Sequence, residues 1–80
     1  MTTRPACYET INTDTRRATH HGSLRDARRE ARRQGCRFAG EPYECPHTGR
    51  RVLPLYRTLR EARAVTHAAP AVLITATPRA

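Results

Sequence analysis

The chain contains no lysine and no tryptophan, only one phenylalanine, and few strong core formers of any kind. Leucine, valine, isoleucine and phenylalanine together make up 11 of its 80 residues. That share lies below the roughly 20% at which a highly charged chain begins to read as disordered. The length predicts one domain, 1–80, with a small margin of stability that a dimer contact, a metal or a large partner would widen. Long apolar runs are missing as well. The longest, Ala71-Val72-Leu73-Ile74, is far too short for a bilayer, and Thr2-Thr3-Arg4-Pro5 after Met1 does not read as a secretory leader. Three cysteines are an odd and small number, which predicts free thiols in a reducing compartment rather than a disulfide framework. Together these absences predict a cytoplasmic protein with no membrane partner. The chain also lacks a glycine-rich phosphate loop, a nucleophile elbow and a His-Glu-x-x-His zinc motif, so no enzyme is expected.

What the chain has in excess is arginine. All 15 of its basic Lys/Arg-class residues are arginine, against seven acids, for a formal charge of +8. Arginine to the exclusion of lysine, beside 12 alanines, points to a GC-rich coding sequence of the actinobacterial type or of a phage of such a host. For a phage-encoded chain the expected location is the cytoplasm of the host cell.

Shifted by 35 positions, the sequence matches itself without a gap. Eight of the 31 pairs from Tyr8/Tyr43 to Phe38/Leu73 are identical, more than this composition supplies by chance. In the best stretch Ser23-Leu24-Arg25-Asp26-Ala27-Arg28 falls on Thr58-Leu59-Arg60-Glu61-Ala62-Arg63. Both segments open with a capping box, a hydroxyl at N-cap and a carboxylate three residues on. The first helix is predicted over 24–34, ending at Gly35, and the second over 59–69, ending before Pro70. Each has a thin apolar face: Leu24, Ala27 and Ala31 in the first, and Leu59, Ala62, Val65 or Thr66, and Ala69 in the second.

A β-rich hairpin precedes each helix, 7–21 around Asp14-Thr15-Arg16 and 43–57 around Thr48-Gly49. Pro46 and Pro54 predict edge or irregular strands, because proline cannot donate to a ladder. A short strand follows each helix, 36–39 and 71–76. The second of these is apolar on both faces and is the candidate central strand. The predicted fold is α+β: a tandem ββαβ-like repeat, about 8–39 and 43–76, forming one antiparallel sheet with two helices on one face. The other face is expected to stand open or to meet a partner.

The first helix carries Arg25, Arg28, Arg29, Arg32 and Arg33, with Arg37 just beyond; Arg60 and Arg63 occupy the matching positions of the second unit. The guanidinium fork suits phosphate oxygens, so this set predicts nucleic-acid binding. An acidic protein surface is the alternative partner, and a homodimer is a further possibility because the core is small. Pairs such as Asp26–Arg29 and Glu30–Arg33 are expected to offset only part of this charge. Tyr8, Tyr43 and Tyr56 would stack on bases if they shared the open face.

The run Tyr56-Arg57-Thr58-Leu59-Arg60-Glu61-Ala62, following a hairpin, resembles the arm-type DNA-binding domain of phage integrases and the plant ethylene-response-factor domain. Gly22-Ser23-Leu24-Arg25-Asp26-Ala27 resembles them more weakly, and the chain is broadly similar to small hairpin–helix proteins of actinobacteriophages. The resemblance implies a three-stranded sheet that enters the major groove with a helix supporting it from behind. Here, by contrast, the arginines cluster on the helix, and the first strand is not aromatic-rich.

Cys45 and His47, at i and i+2, would point from one strand face at a common zinc ion, with Cys36 nine residues upstream and Cys7 close to Cys36 if the first and third strands pair. The segment Tyr43-Glu44-Cys45-Pro46-His47-Thr48-Gly49-Arg50 is similar to half of a zinc ribbon, with Thr48 where the second cysteine would stand. The competing expectation is that Cys7 and Cys36 are small buried hydrophobes. His20 and His21, adjacent at a strand end, are expected on opposite faces near a solvent-exposed turn, and His67 on the polar face of the second helix.

Overall fold

Two tight turns set where the chain doubles back. At the first, Asn12 Oδ1 accepts from the backbone N–H of Asp14 (2.9 Å) and of Thr15 (3.0 Å), and the Arg16 N–H donates to the Asn12 carbonyl (2.8 Å). The loop closes with Arg16 at a left-handed φ of 60°. At the second, the Gly49 N–H donates to the Cys45 carbonyl (2.8 Å), and Gly49 takes φ 70°, which glycine adopts without steric cost. The computed structural model describes residues 7–64 and 69–77.

The elements follow in the order β1 (Cys7–Asn12), β2 (Ala18–His21), α1 (Leu24–Arg33), β3 (Phe38–Ala39), β4 (Tyr43–Glu44), β5 (Arg51–Tyr56), α2 (Leu59–Ala62) and β6 (Val72–Thr77). The fold is α+β, with a six-stranded antiparallel sheet and two helices. The strand order is β2-β1-β6-β5-β3, and β4 also pairs with β5. The apolar run of 71–76 does become a central strand, β6, because side chains on both of its faces need cover.

Half of the capping box predicted for α1 forms: the Ser23 hydroxyl caps the helix, while among the described residues the Asp26 carboxylate takes no bond from the Ser23 N–H. Ser23 Oγ accepts from the Asp26 N–H at 3.2 Å. At the other end the Gly35 N–H donates to the Arg32 carbonyl and the Cys36 N–H to the Ala31 carbonyl, both at 2.9 Å, with Gly35 at φ 85°. That paired closure satisfies two carbonyls the helix leaves orphaned. In α2, Thr58 Oγ1 accepts from the Glu61 N–H (3.1 Å) and donates to the Glu61 carboxylate (2.9 Å). This helix is far shorter than the predicted 59–69: it ends at Ala62 with Arg63 as its C-cap, and Ala69 lies outside it. Val65, Thr66 and His67 fall outside the described residues.

The core lies between α1 and the sheet. Ala27 and Ala31 are completely buried against a cluster of Cys36, Leu55, Ala71, Val72 and Ile74. Alanine at both positions lets the helix axis come close to the strands, at the cost of little buried area per residue. The register Thr10↔Ile74 and Leu53↔Ile74 places Thr10, Leu53, Leu55, Val72 and Ile74 on the face that α1 covers. The opposite face carries Val52, Pro54, Leu73 and Thr75. Its centre is not open as expected, since Val52, Pro54 and Thr75 are buried.

Pro54 corrects the edge-strand expectation, for β5 is an interior strand. The Pro54 carbonyl accepts from the Gly40 N–H (2.9 Å), so its donorless nitrogen faces that same side, at the gap between β3 and β4. The missing donor falls where the outer ladder is interrupted. Pro46 sits in the turn after β4, outside any strand. Gly40 permits the close approach: a Cβ there would lie 2.8 Å from Tyr56 Cε2 and 3.3 Å from Pro54 Cγ.

The element order β-β-α-β occurs twice, yet the pairings are not related by a twofold. Only the hairpins β1–β2 and β4–β5 correspond. A twofold that sets β6 between β1 and β5 would set β3 between β4 and β2, whereas β3 lies beside β5. The helices also differ in place. α1 rests against β1, β2 and β6, and α2 against β5 and β3.

Candidate functional site

At about 100° per residue, Arg28, Arg32, Arg25, Arg29 and Arg33 of α1 span an arc of about 140°, away from Ala27 and Ala31. Arg25, Arg29, Arg32 and Arg33 are exposed and Arg28 is half-buried toward the sheet. The buried alanines thus anchor the helix and turn the arginines outward. Of the two carboxylate pairs expected on this helix, Glu30–Arg33 forms, at 3.3 Å. Glu30 is shared, since its other oxygen accepts from Gln34 Nε2 at 2.9 Å. Asp26 makes no ion pair among the described residues. An exposed pair of this kind contributes at most about 1 kcal/mol, so most of the helix charge stays free for a partner.

The other predicted contacts are scattered. Arg37 is exposed on the connection between α1 and β3. Arg60 and Arg63 are exposed on α2 and at its C-cap, on the β5–β3 side of the sheet, away from the α1 arc. The structure instead brings three further arginines to the end of the sheet where α1 terminates. Asn12 Nδ2 donates to Gln34 Oε1 at 2.8 Å, which ties the β1–β2 turn, with exposed Arg16 and Arg17, to the last turn of α1. Arg57, after β5, reaches Asp14 of that turn at 3.4 Å. The dipeptide Arg16-Arg17 at a hairpin turn was the available signal in the sequence, but only tertiary packing sets it beside the helix.

The tyrosines form no common platform. Tyr8 lies on the α1 side of the sheet and packs against the core. Tyr43, paired with Val52, and Tyr56, two positions from Pro54, lie on the other face.

The four zinc candidates are not assembled either. β1 and β3 do not pair, so Cys7 and Cys36 are separated across the sheet. Cys36 is buried in the core, and Cys45 and His47 lie beyond the end of β4. Among the described residues no three His, Cys, Asp or Glu side chains come together to hold a metal ion. Burial pushes the Cys36 thiol above its ordinary pKa. At Cys45 a hydrogen bond from the Thr48 hydroxyl, then the backbone N–H groups of Thr48 and His47, lower it.

The two histidines lie in β2 and face opposite ways, as adjacent strand residues must. His20 meets Glu9 at 3.0 Å. His21 Nε2 is 3.0 Å from the Thr19 hydroxyl and 3.1 Å from that of Thr10, and those two hydroxyls also bond each other. They are therefore strand residues with polar partners rather than turn residues.

One apolar cleft of about 400 Å³ opens beside the first turn of α1, lined by Tyr8, Leu24, Pro42, Leu53, Ile74 and Ala76, with Arg51 as its one charged group. Leu24 is 39% exposed at its rim. Among the described residues no helix is long and apolar enough to cross a membrane. In comparisons with protein families, curated proteins and solved structures, nothing matches this chain.

Proposed function

We propose that this protein is a small, basic, non-enzymatic binding protein of the cytoplasm, the host's cytoplasm if it is phage-encoded. It contacts nucleic-acid phosphates through the arginine face of α1. The observation that carries this reading is the arc of Arg25, Arg28, Arg29, Arg32 and Arg33, backed by buried alanines and offset, among the described residues, by a single ion pair. Guanidinium groups spaced along a rigid helix match a row of phosphates, and binding of this kind releases counterions. Arg37, Arg60 and Arg63 join the contact set as flanking charge. The hairpin–helix resemblance agrees with a nucleic-acid partner, and the recurring β-β-α-β order with a duplicated unit. The test is charge reversal, Arg28→Glu with Arg32→Glu. Binding to nucleic acid is expected to vanish while the far-ultraviolet circular dichroism stays that of the wild type; retained affinity would sink the reading.

A second reading has its own observation. The apolar cleft beside α1, with Leu24 and Arg51, would receive an apolar anchor from an acidic protein while the arginines meet its carboxylates. A nuclease-resistant protein captured at fixed stoichiometry, lost on Leu24→Asp, would favour it. A second copy of the chain bound there would register as a dimer by sedimentation.

A further inference from the structure

The end of the sheet where α1 terminates carries more positive charge than the helix alone provides. Asn12 is the joint. Its amide nitrogen holds Gln34 at the end of α1, and its amide oxygen holds the N–H groups of the β1–β2 turn. The turn that carries Arg16 and Arg17 is thereby tied to the end of α1, whose last turn carries Arg32 and Arg33. Of the carboxylates near this end, Asp14 is engaged by Arg57 and Glu30 by Arg33, while Glu61, close to Cys36, accepts from the Thr58 hydroxyl. Arg16 holds a left-handed φ of 60°, a conformation that glycine or asparagine adopts at lower cost. The position keeps an exposed arginine all the same.

The same surface lacks a platform on which bases could stack. No tyrosine borders it: Tyr8 pairs with His21 and Ala76 toward the opposite end of the sheet, and Tyr43 and Tyr56 lie on the other face. Single strands are held largely by base stacking on aromatic side chains, which this surface does not offer.

We infer that the partner is a nucleic-acid duplex, gripped along its phosphates without reading of sequence, by a surface that continues from α1 onto the β1–β2 turn, with Arg16 and Arg17 as contact residues. This rests on the nucleic-acid reading above. Arginines on a rigid helix and a braced turn meet phosphates of a stiff double helix, and charge alone supplies the attraction.

The test is fluorescence anisotropy on three labelled probes of equal length: a mixed-sequence DNA duplex, the corresponding RNA duplex and a thymidine single strand, each titrated across salt. Each duplex is expected to bind about tenfold more tightly than the single strand, which finds no aromatic platform here. In the Arg16→Gly, Arg17→Ala double variant, the slope of log affinity against log salt on DNA is expected to become shallower by about 2, one unit per lost phosphate contact. Glycine suits the left-handed position, so the turn keeps its shape. If circular dichroism shows the double variant unfolded, Arg17→Ala alone should lower the slope by about 1. Equal or tighter binding of the single strand, or an unchanged slope in a folded variant, would overturn this inference and leave the α1 reading standing. Failure of all three probes to bind at low salt would overturn both.

Discussion

Leu55→Ala is expected to cost this protein about 3 kcal/mol, and Leu59→Ala less than about 1 kcal/mol. The two leucines lie four positions apart, and pattern alone would put both in the core. Leu55 is 1% exposed and packs in the cluster with Ala27, Ala31, Val72 and Ile74. Truncation there removes three carbon groups at about 0.8 kcal/mol each and leaves a hole. The helix above it has little means of closing that hole. Its contact residues are already alanines, and its end is tied to β1 through Gln34 and Asn12. Leu59 is 44% exposed, so only part of its transfer energy is realised, and solvent fills the space it leaves. A chain of this size has a total stability of roughly 4–12 kcal/mol, so the Leu55 loss is a large share of it. At about 4–8 °C per kcal/mol, the melting midpoint should fall by at least about 12 °C for Leu55→Ala and by a few degrees for Leu59→Ala. Circular dichroism melts and urea titrations measure both. If Leu59→Ala lowers the midpoint as far as Leu55→Ala, the position assigned to α2 on the sheet is refuted.

Two further outcomes follow from local geometry. Gly40→Ala would drive a Cβ to 2.8 Å from the Tyr56 ring beside Pro54, and is expected to cost about 1–3 kcal/mol by urea denaturation, where an unchanged midpoint would place that loop elsewhere. Among the cysteines, iodoacetamide below pH 9.0 should label Cys45 ahead of Cys36, because Thr48 stabilises the Cys45 thiolate while burial holds Cys36 protonated. For Cys36 the folded pKa lies above the unfolded 9.0, so its contribution to stability is complete below pH 9.0 and is lost as pH rises through the folded value. The alkaline loss of stability should therefore be smaller in Cys36→Ala, and an equal loss in both proteins would count against it.

Local chemistry by itself determined a good deal of this protein. The cap at Ser23, the stop at Gly35, the thin alanine face of α1, its arginine arc and the apolar run that becomes β6 all depend on interactions within a few residues, and all were legible in the chain. The order β-β-α-β, twice over, was legible for the same reason. Strand pairing was not. Which strand lies beside which is decided by contacts across tens of residues, and two units with similar local signals can enter one sheet in unequal ways. That is why Pro54 sits in an interior strand, with its missing donor at a break in the outer ladder, and why Cys7 and Cys36 end apart. The short α2 and the exposed Leu59 have the same origin, since a marginal helix extends only as far as packing supports it. The arginine face on α1 could be read from helical period, but the placement of the turn that carries Arg16 and Arg17 at the end of that helix depends on Asn12, which joins the turn to Gln34, 22 positions away in the chain.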